Sequence, residues 1–276
     1  MSQKVNLKAY FDRIGFAGSI APTLATLEAI HALHPAVIPF ENLNPLLGLP
    51  VRLELDSISK KLLQEKRGGY CYEHNLLLMA VLRELDFNVR ALAARVLWSD
   101  PETTQKHHML LAVEIGGATY IADVGFGGLS LTAPLKLKTD VEQTTPHEMF
   151  RLVGGQPEWR LEARIEEAWK VLYAFTTEAR QPEDFTESNL YLAGDPQSGF
   201  RQELRVALSP PGKRLALRDT RFSVHEAGQP SIVRQLESVE ALREVLTTSF
   251  GLQLPASDVI DPLLGRVVAK AALQES

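Results

Sequence analysis

CYEHNLLLMAVLRELDFNVRALAARV, residues 71–96, changes its period part-way along. Its first part, from Cys71 to about Leu85, reads as a Leu-rich helix. After Phe87 the period shortens, and Val89 to Val96 reads as a strand rich in β-branched and apolar residues. Upstream of this junction the pattern is helical. Leu7, Tyr10, Phe11 and Ile14 follow i, i+3, i+4, i+7, with Asn6 as N-cap and Gly15 as the stop. Thr23 caps a second helix, which Pro35 and Pro39 are expected to break. Asp56 or Ser57 starts a third, running through Leu63. Downstream come strands at His107 to Ile115, Thr119 to Val124, Trp159 to Ile165 and Trp169 to Phe175, then a short helix over Pro182 to Tyr191. A last region holds a strand at Leu204 to Leu208, a hairpin around Asp219 and Thr220, and a helix from Ser238 to Phe250 stopped by Gly251. Helices, then strands, then a mixed segment is α+β order rather than repeating βαβ. The division is 1–87, 88–200 and 201–276.

The chain has 276 residues, 45% hydrophobic and 23% charged, close to globular averages. With 29 Lys and Arg against 34 Asp and Glu, its net charge of −5 argues against a nucleic-acid partner. The longest apolar run, Leu76 to Leu82, is far short of the roughly 20 residues of a membrane span. The first sixteen residues lack an unbroken signal-peptide core. One cysteine forms neither an intrachain disulfide nor a Cys-rich zinc site, so the expectation is a cytoplasmic protein without a metal.

That cysteine, Cys71, ends the run Arg67-Gly68-Gly69-Tyr70-Cys71 and opens a helix. A lone Cys is commonly a small buried hydrophobe. At a helix N-terminus, however, unpaired N–H groups and the macrodipole favour a thiolate. A second constellation lies on the next two strands. Gly116-Gly117 is a two-residue hairpin signal, which sets Ile115 opposite Ala118. Asp123 then becomes the diagonal neighbour of His108, at a Cβ separation of about 7–8 Å, and His107 points to the other face. A solvated His and a strand-end Asp is the plain alternative. Together Cys71, His108 and Asp123 supply a nucleophile, a base and a carboxylate that orients the base. Nothing in the sequence shows that Cys71 meets His108.

The segments around these residues resemble those of the arylamine N-acetyltransferases. Residues 67–75 look like that family's nucleophile motif. His108-Met109-Leu110-Leu111 and Tyr120-Ile121-Ala122-Asp123 look like its His and Asp segments. Pro39-Phe40-Glu41-Asn42-Leu43 and Asp123-Val124-Gly125-Phe126-Gly127-Gly128 are similar too. The resemblance implies an N-terminal helical bundle, a central antiparallel β-barrel and a C-terminal α/β lid, with a papain-like cysteine triad of Cys71, His108 and Asp123. It implies ping-pong transfer of an acetyl group from acetyl-CoA to an arylamine, hydrazine or hydroxylamine, a xenobiotic-type acceptor. It assigns Phe40 and Phe126 to the acceptor pocket, and Gly127 and Gly128 to the side of the coenzyme A donor. Further expectations are a monomer or weak homodimer, with no membrane contact.

Other readings of the same residues are a Cys-His-Asp hydrolase or transglutaminase-like enzyme, and a non-catalytic binding protein. His74, three residues after Cys71 on the same helix face, reads as a structural neighbour. His31, His34, His147 and His225 lack metal-ligand spacing and read as surface or capping histidines. Glu41 and Arg67 form either a buried pair holding the Pro39 loop to the Cys71 loop or two surface charges.

Overall fold

A short polar side chain ahead of an apolar periodic run satisfies an N–H that the first helical turn leaves unpaired. Asn6 accepts from the Ala9 N–H and Thr23 from the Thr26 N–H. They open α1 (Leu7–Ile14) and α2 (Leu24–Val37) in a computed structural model that describes residues 4–274. Residues 1–3 and 275–276, the outer ends of the first and last expected segments, lie outside the described residues. Gly15 closes α1 in the left-handed region, at φ 72°. Pro35 does not break α2 as expected. It sits in the last turn, where its missing N–H costs a single helical bond, and the helix runs on to Val37.

Next come β1 (Phe40–Glu41), α3 (Leu43–Leu46) and α4 (Leu55–Ser59). The third helix of the sequence reading thus begins at Leu55, without a side-chain cap, and widens into a π turn over Lys60–Gln64. Then α5 (Cys71–Glu84) leads into an antiparallel sheet. Its strands are β2 (Asn88–Val96), β3 (His108–Ile115), β4 (Ala118–Ala122), β5 (Leu135–Lys136), β6 (Glu142–Thr144), β7 (Met149–Gly154), β8 (Trp159–Ile165) and β9 (Ala168–Phe175). The order β5-β4-β3-β2-β9-β8-β7-β6 leaves β5 and β6 outermost. Gln143 of β6 joins them, accepting from the Lys136 N–H at 2.8 Å and donating to the Lys136 carbonyl at 2.9 Å. The sheet is a nearly closed barrel.

The inner strands are apolar on both faces because both faces are covered. Val89, Ala91, Met109, Leu111 and Val113 pack into one core with Tyr72, Leu77 and Leu78 of α5. Leu92, Ala94, Leu110 and Ala112 point the other way, into the barrel with Phe150, Leu161 and Tyr173. His108 shares the barrel-facing parity of Leu110 and Ala112.

After α6 (Thr186–Gly194) and α7 (Gly199–Gln202) the chain builds a second sheet from β10 (Arg205–Leu208), β11 (Lys213–Arg218), β12 (Arg221–Glu226) and β13 (Ile232–Gln235). Its first strand is β1: Phe40 pairs with Ala207 and Glu41 with Val206. Helices α8 (Val239–Glu244) and α9 (Ser257–Gln274) cover it, with Leu217, Phe222, Leu246, Phe250 and Leu264 in the core between. The sequence reading had no counterpart for α9, β13 or the short strands β5 to β7. The fold class is α+β. Among the described residues no helix is long and apolar enough to cross a membrane.

Candidate active site

Cys71 is the first residue of α5, after an extended Tyr70 (φ −109°, ψ −170°). The Glu73 carboxylate, one turn in, accepts from the Tyr70 N–H at 3.1 Å and fixes the entry of the chain. The preceding loop is pressed against residues 39–41. The Gly69 N–H donates to the Pro39 carbonyl and the Glu41 N–H to the Gly69 carbonyl. Gly68 allows this approach: a Cβ there would stand 1.9 Å from the Pro39 oxygen. Cys71 is buried, and its sulfur lies 3.8 Å from the His107 carbonyl.

The hairpin register is the one the Gly116-Gly117 turn dictates, from Ile115 opposite Ala118 to Leu111 opposite Ala122. Just past the ladder, His108 Nε2 donates to Asp123 Oδ2 at 2.7 Å, with both side chains at most 3% exposed. The His107 ring turns away and stacks on Tyr191 at 4.9 Å. Asp123 Oδ1 accepts two further bonds, from Asn75 Nδ2 and the Gly125 N–H, each 3.0 Å. Burial works against the carboxylate charge, but the His108 charge and these donors outweigh it and hold the Asp123 pKa below its ordinary value. Burial also works against a charge on His108. The Asp123 carboxylate and then Cys71 overcome it, pushing the imidazole up to about 10. At neutral pH the pair is therefore imidazolium and carboxylate, and Nδ1 is the ring nitrogen left for the sulfur.

Three residues that the sequence reading did not single out support this centre. Asn75, one helical turn beyond Cys71, donates also to the Met109 carbonyl at 2.7 Å and accepts from the Val124 N–H at 3.2 Å. Its sequence signals were the i, i+4 spacing from Cys71 and its place at the end of the 67–75 motif. A Cβ on Gly125 would lie 2.8 Å from Cys71 Cα, so glycine is what lets the Asp123 turn meet α5. Tyr173, from β9, has its ring 5.1 Å from that of His108 and its phenol, kept protonated by burial, beside the Asp123 charge. No local pattern marks it.

Phe126 stands edge-on to His108 at 5.2 Å and also packs on Tyr173. Gly127, at φ 92°, directs its missing Cβ toward the Phe40 ring at 3.6 Å. Gly128 faces open space. The structure thus gathers Phe126 with His108, and Phe40 with Gly127.

Glu41 and Arg67 are a buried pair. Arg67 donates through Nε at 2.9 Å and Nη2 at 2.7 Å to one carboxylate oxygen, and the Leu43 N–H takes the other at 2.6 Å. Lys61, from the π turn, adds an ion pair with Glu73 at 2.8 Å. The histidines need correction. His31 and His34 are 0% exposed, neither surface nor capping groups, and His74, read as a structural neighbour, is equally buried. His31 Nε2 accepts from the Asp123 N–H at 3.1 Å, and burial drives its pKa down to about 4. His147 is half-buried and tied to the Pro210 and Lys213 carbonyls, while His225 is exposed.

Comparison with known proteins shows what the whole chain is similar to. A family model described as N-acetyltransferase matches residues 23–259. The arylamine N-acetyltransferase of Escherichia coli is 41% identical over 248 residues, covering 89% of this chain and 88% of that protein. The arylamine N-acetyltransferase / N-hydroxyarylamine O-acetyltransferase of Salmonella typhimurium is 38% identical over 89% of this chain and 88% of its own. The structure of Mycobacterium marinum arylamine N-acetyltransferase in complex with CoA superposes with a TM-score of 0.91 at 35% identity, covering 95% of this chain and 99% of that one.

Proposed function

Because the chain belongs to the arylamine N-acetyltransferase family, we propose that it carries an acetyl group from acetyl-CoA to an arylamine, arylhydrazine or arylhydroxylamine nitrogen, by way of acetyl-Cys71. The observation that carries the reading is the 2.7 Å bond from His108 to Asp123, buried beside a cysteine at a helix start.

The Cys71 thiolate attacks the acetyl carbonyl carbon. The bond from that carbon to the coenzyme A sulfur breaks as the His108 imidazolium gives its Nδ1 proton to the departing thiolate. His108, now neutral, takes a proton from the amine as the amine nitrogen attacks acetyl-Cys71. The Cys71 thiolate leaves, and the imidazolium is restored. Asp123 holds the ring in one orientation and stabilises its charge in both halves. Phe40 and Phe126 offer flat apolar faces for an aromatic acceptor. Gly127 and Gly128 lie on the donor side, where open space beside Gly128 admits a ligand. The same reading takes the enzyme as a cytoplasmic monomer or weak homodimer, divided at about residues 87 and 200.

Intact mass after mixing with acetyl-CoA tests it. Wild type should gain one acetyl group and lose it to an added amine, while Cys71→Ala should gain none. An unmodified wild-type mass under rapid quench, with intersecting initial-rate lines, would sink the acetyl-cysteine route. Acetyl-CoA hydrolysis with no acetylated amine would assign a hydrolase instead.

A further inference from the structure

The Pro39 carbonyl can only accept hydrogen bonds, and from that one condition a chain of proton positions follows through the helical core. His74 Nε2 lies 3.1 Å from the Pro39 oxygen, so the His74 proton sits on Nε2. His74 Nδ1 is then an acceptor, and His34 Nε2, 2.8 Å away, must be its donor. His34 Nδ1 in turn accepts, and the Tyr10 hydroxyl donates to it at 2.8 Å. All three side chains are 0% exposed, so water offers them no alternative partner. Burial is the leading cause that holds both rings neutral, His34 well below the usual range and His74 at about 4. Every ring nitrogen of the chain is satisfied, whereas Nδ1 of nearby His31 has no partner.

The chain ends where the site begins. Its last acceptor, Pro39, immediately precedes Phe40, whose ring lies nearly parallel to that of His74 (8°, centroids 6.5 Å apart) and against Gly127. The same oxygen also takes the Gly69 N–H, at 3.3 Å, from the loop before Cys71. We infer that His74 is a positioning residue for the acceptor half of the reaction: backed by His34 and Tyr10, it pins the Pro39 carbonyl and so seats Phe40. This rests on the acceptor role of Phe40 proposed above.

The test has two arms. In wild type labelled at its histidine nitrogens, His34 and His74 should both show the neutral Nε2–H tautomer at pH 7. His74→Leu removes the donor to Pro39, while His74→Gln retains an amide that can donate there and accept from His34. With enzyme already acetylated on Cys71, His74→Leu should slow transfer to an aromatic amine about fivefold, mainly through a raised KM, the factor for one lost hydrogen bond. His74→Gln should recover most of it, and acetylation by acetyl-CoA should stay near wild type in both. A wild-type His74 that is charged or carries its proton on Nδ1 overturns the inference even if no variant folds. So does a folded His74→Leu that transfers at the wild-type rate, or one that slows both half-reactions alike. Should wild type acetylate no amine at all, the functional proposal fails, and the tautomers still judge the chain of bonds.

Discussion

Two buried histidines, at sites some of whose residues share one helix, differ in charge: His108 is an imidazolium and His74 is neutral. His108, on β3, and His74, on α5, are both out of contact with water, and burial alone would discharge both. His108 has a carboxylate at 2.7 Å and is pushed up to about 10. His74 has a carbonyl on one nitrogen and a neutral imidazole on the other, and falls to about 4. Burial magnifies whatever the partner supplies: beside an anion it preserves the charge, and among neutral acceptors it removes it. One site is thereby fitted to move protons and the other to hold shape.

The largest test of this contrast is to remove each imidazole in turn. His108→Gln should cut Cys71 acetylation on the order of 10⁴-fold, since triad members act as a unit. His107→Gln, whose ring stacks on Tyr191, should keep most of the rate in single-turnover assays with circular dichroism as a folding control. A dead His107→Gln beside an active His108→Gln would overturn the assignment. Asp123→Asn should fold yet lose about 10²–10⁴-fold, because the amide cannot support the imidazolium. The loss should appear both in acetylation and in alkylation of Cys71 near neutral pH. Wild-type rates in both assays would mean that the charge on His108 has another source.

Gly125→Ala probes the junction itself. Its Cβ would lie 2.8 Å from Cys71 Cα and 2.9 Å from Asn75 Nδ2, so the Asp123 turn must move. Overpacking of this kind costs about 1–3 kcal/mol, read from urea unfolding, and acetylation should fall by more than the unfolded fraction explains. Gly128→Ala is the counterpart, since it meets no atom. Its stability should stay within about 0.5 kcal/mol of wild type, so any slowing of acetylation would report contact with the donor.

Stability against pH separates the two sites by sign. The folded pKa of His108 is raised above the unfolded value of 6.5, so its contribution is complete below 6.5 and is lost as pH rises toward about 10. The folded values of His31 and His74 are depressed to about 4, so the unfolded chain binds protons that the native state refuses. Stability therefore falls as pH drops from 6.5 toward 4. In urea midpoints across this range, His74→Gln should flatten the acid limb and His108→Gln the alkaline limb. The reverse pattern would undo the contrast.

How much of this was readable beforehand follows the range of each interaction. The caps Asn6 and Thr23 and the register of the Gly116-Gly117 hairpin were legible, because each is set within a few residues by backbone geometry. Since side chains alternate along strands, that register also selected His108 over His107. Pro35 was misread because a proline in a last turn sacrifices little. His31 and His34 were misread because polarity predicts exposure until a partner is known.

By itself, then, the sequence determined the helix start at Cys71, the pairing of His108 with the Asp123 strand and the α+β order, all local consequences of capping, turn and period. Only the tertiary structure decided that α5 and the Asp123 turn meet through Asn75 and Gly125, that Tyr173 closes over the pair, and that Phe40 joins a sheet beside Ala207. The physical reason is that an apolar pattern states which face is buried but not what covers it. That choice is made by packing among segments far apart in the chain, where many partners suit one apolar face and the packed whole selects one.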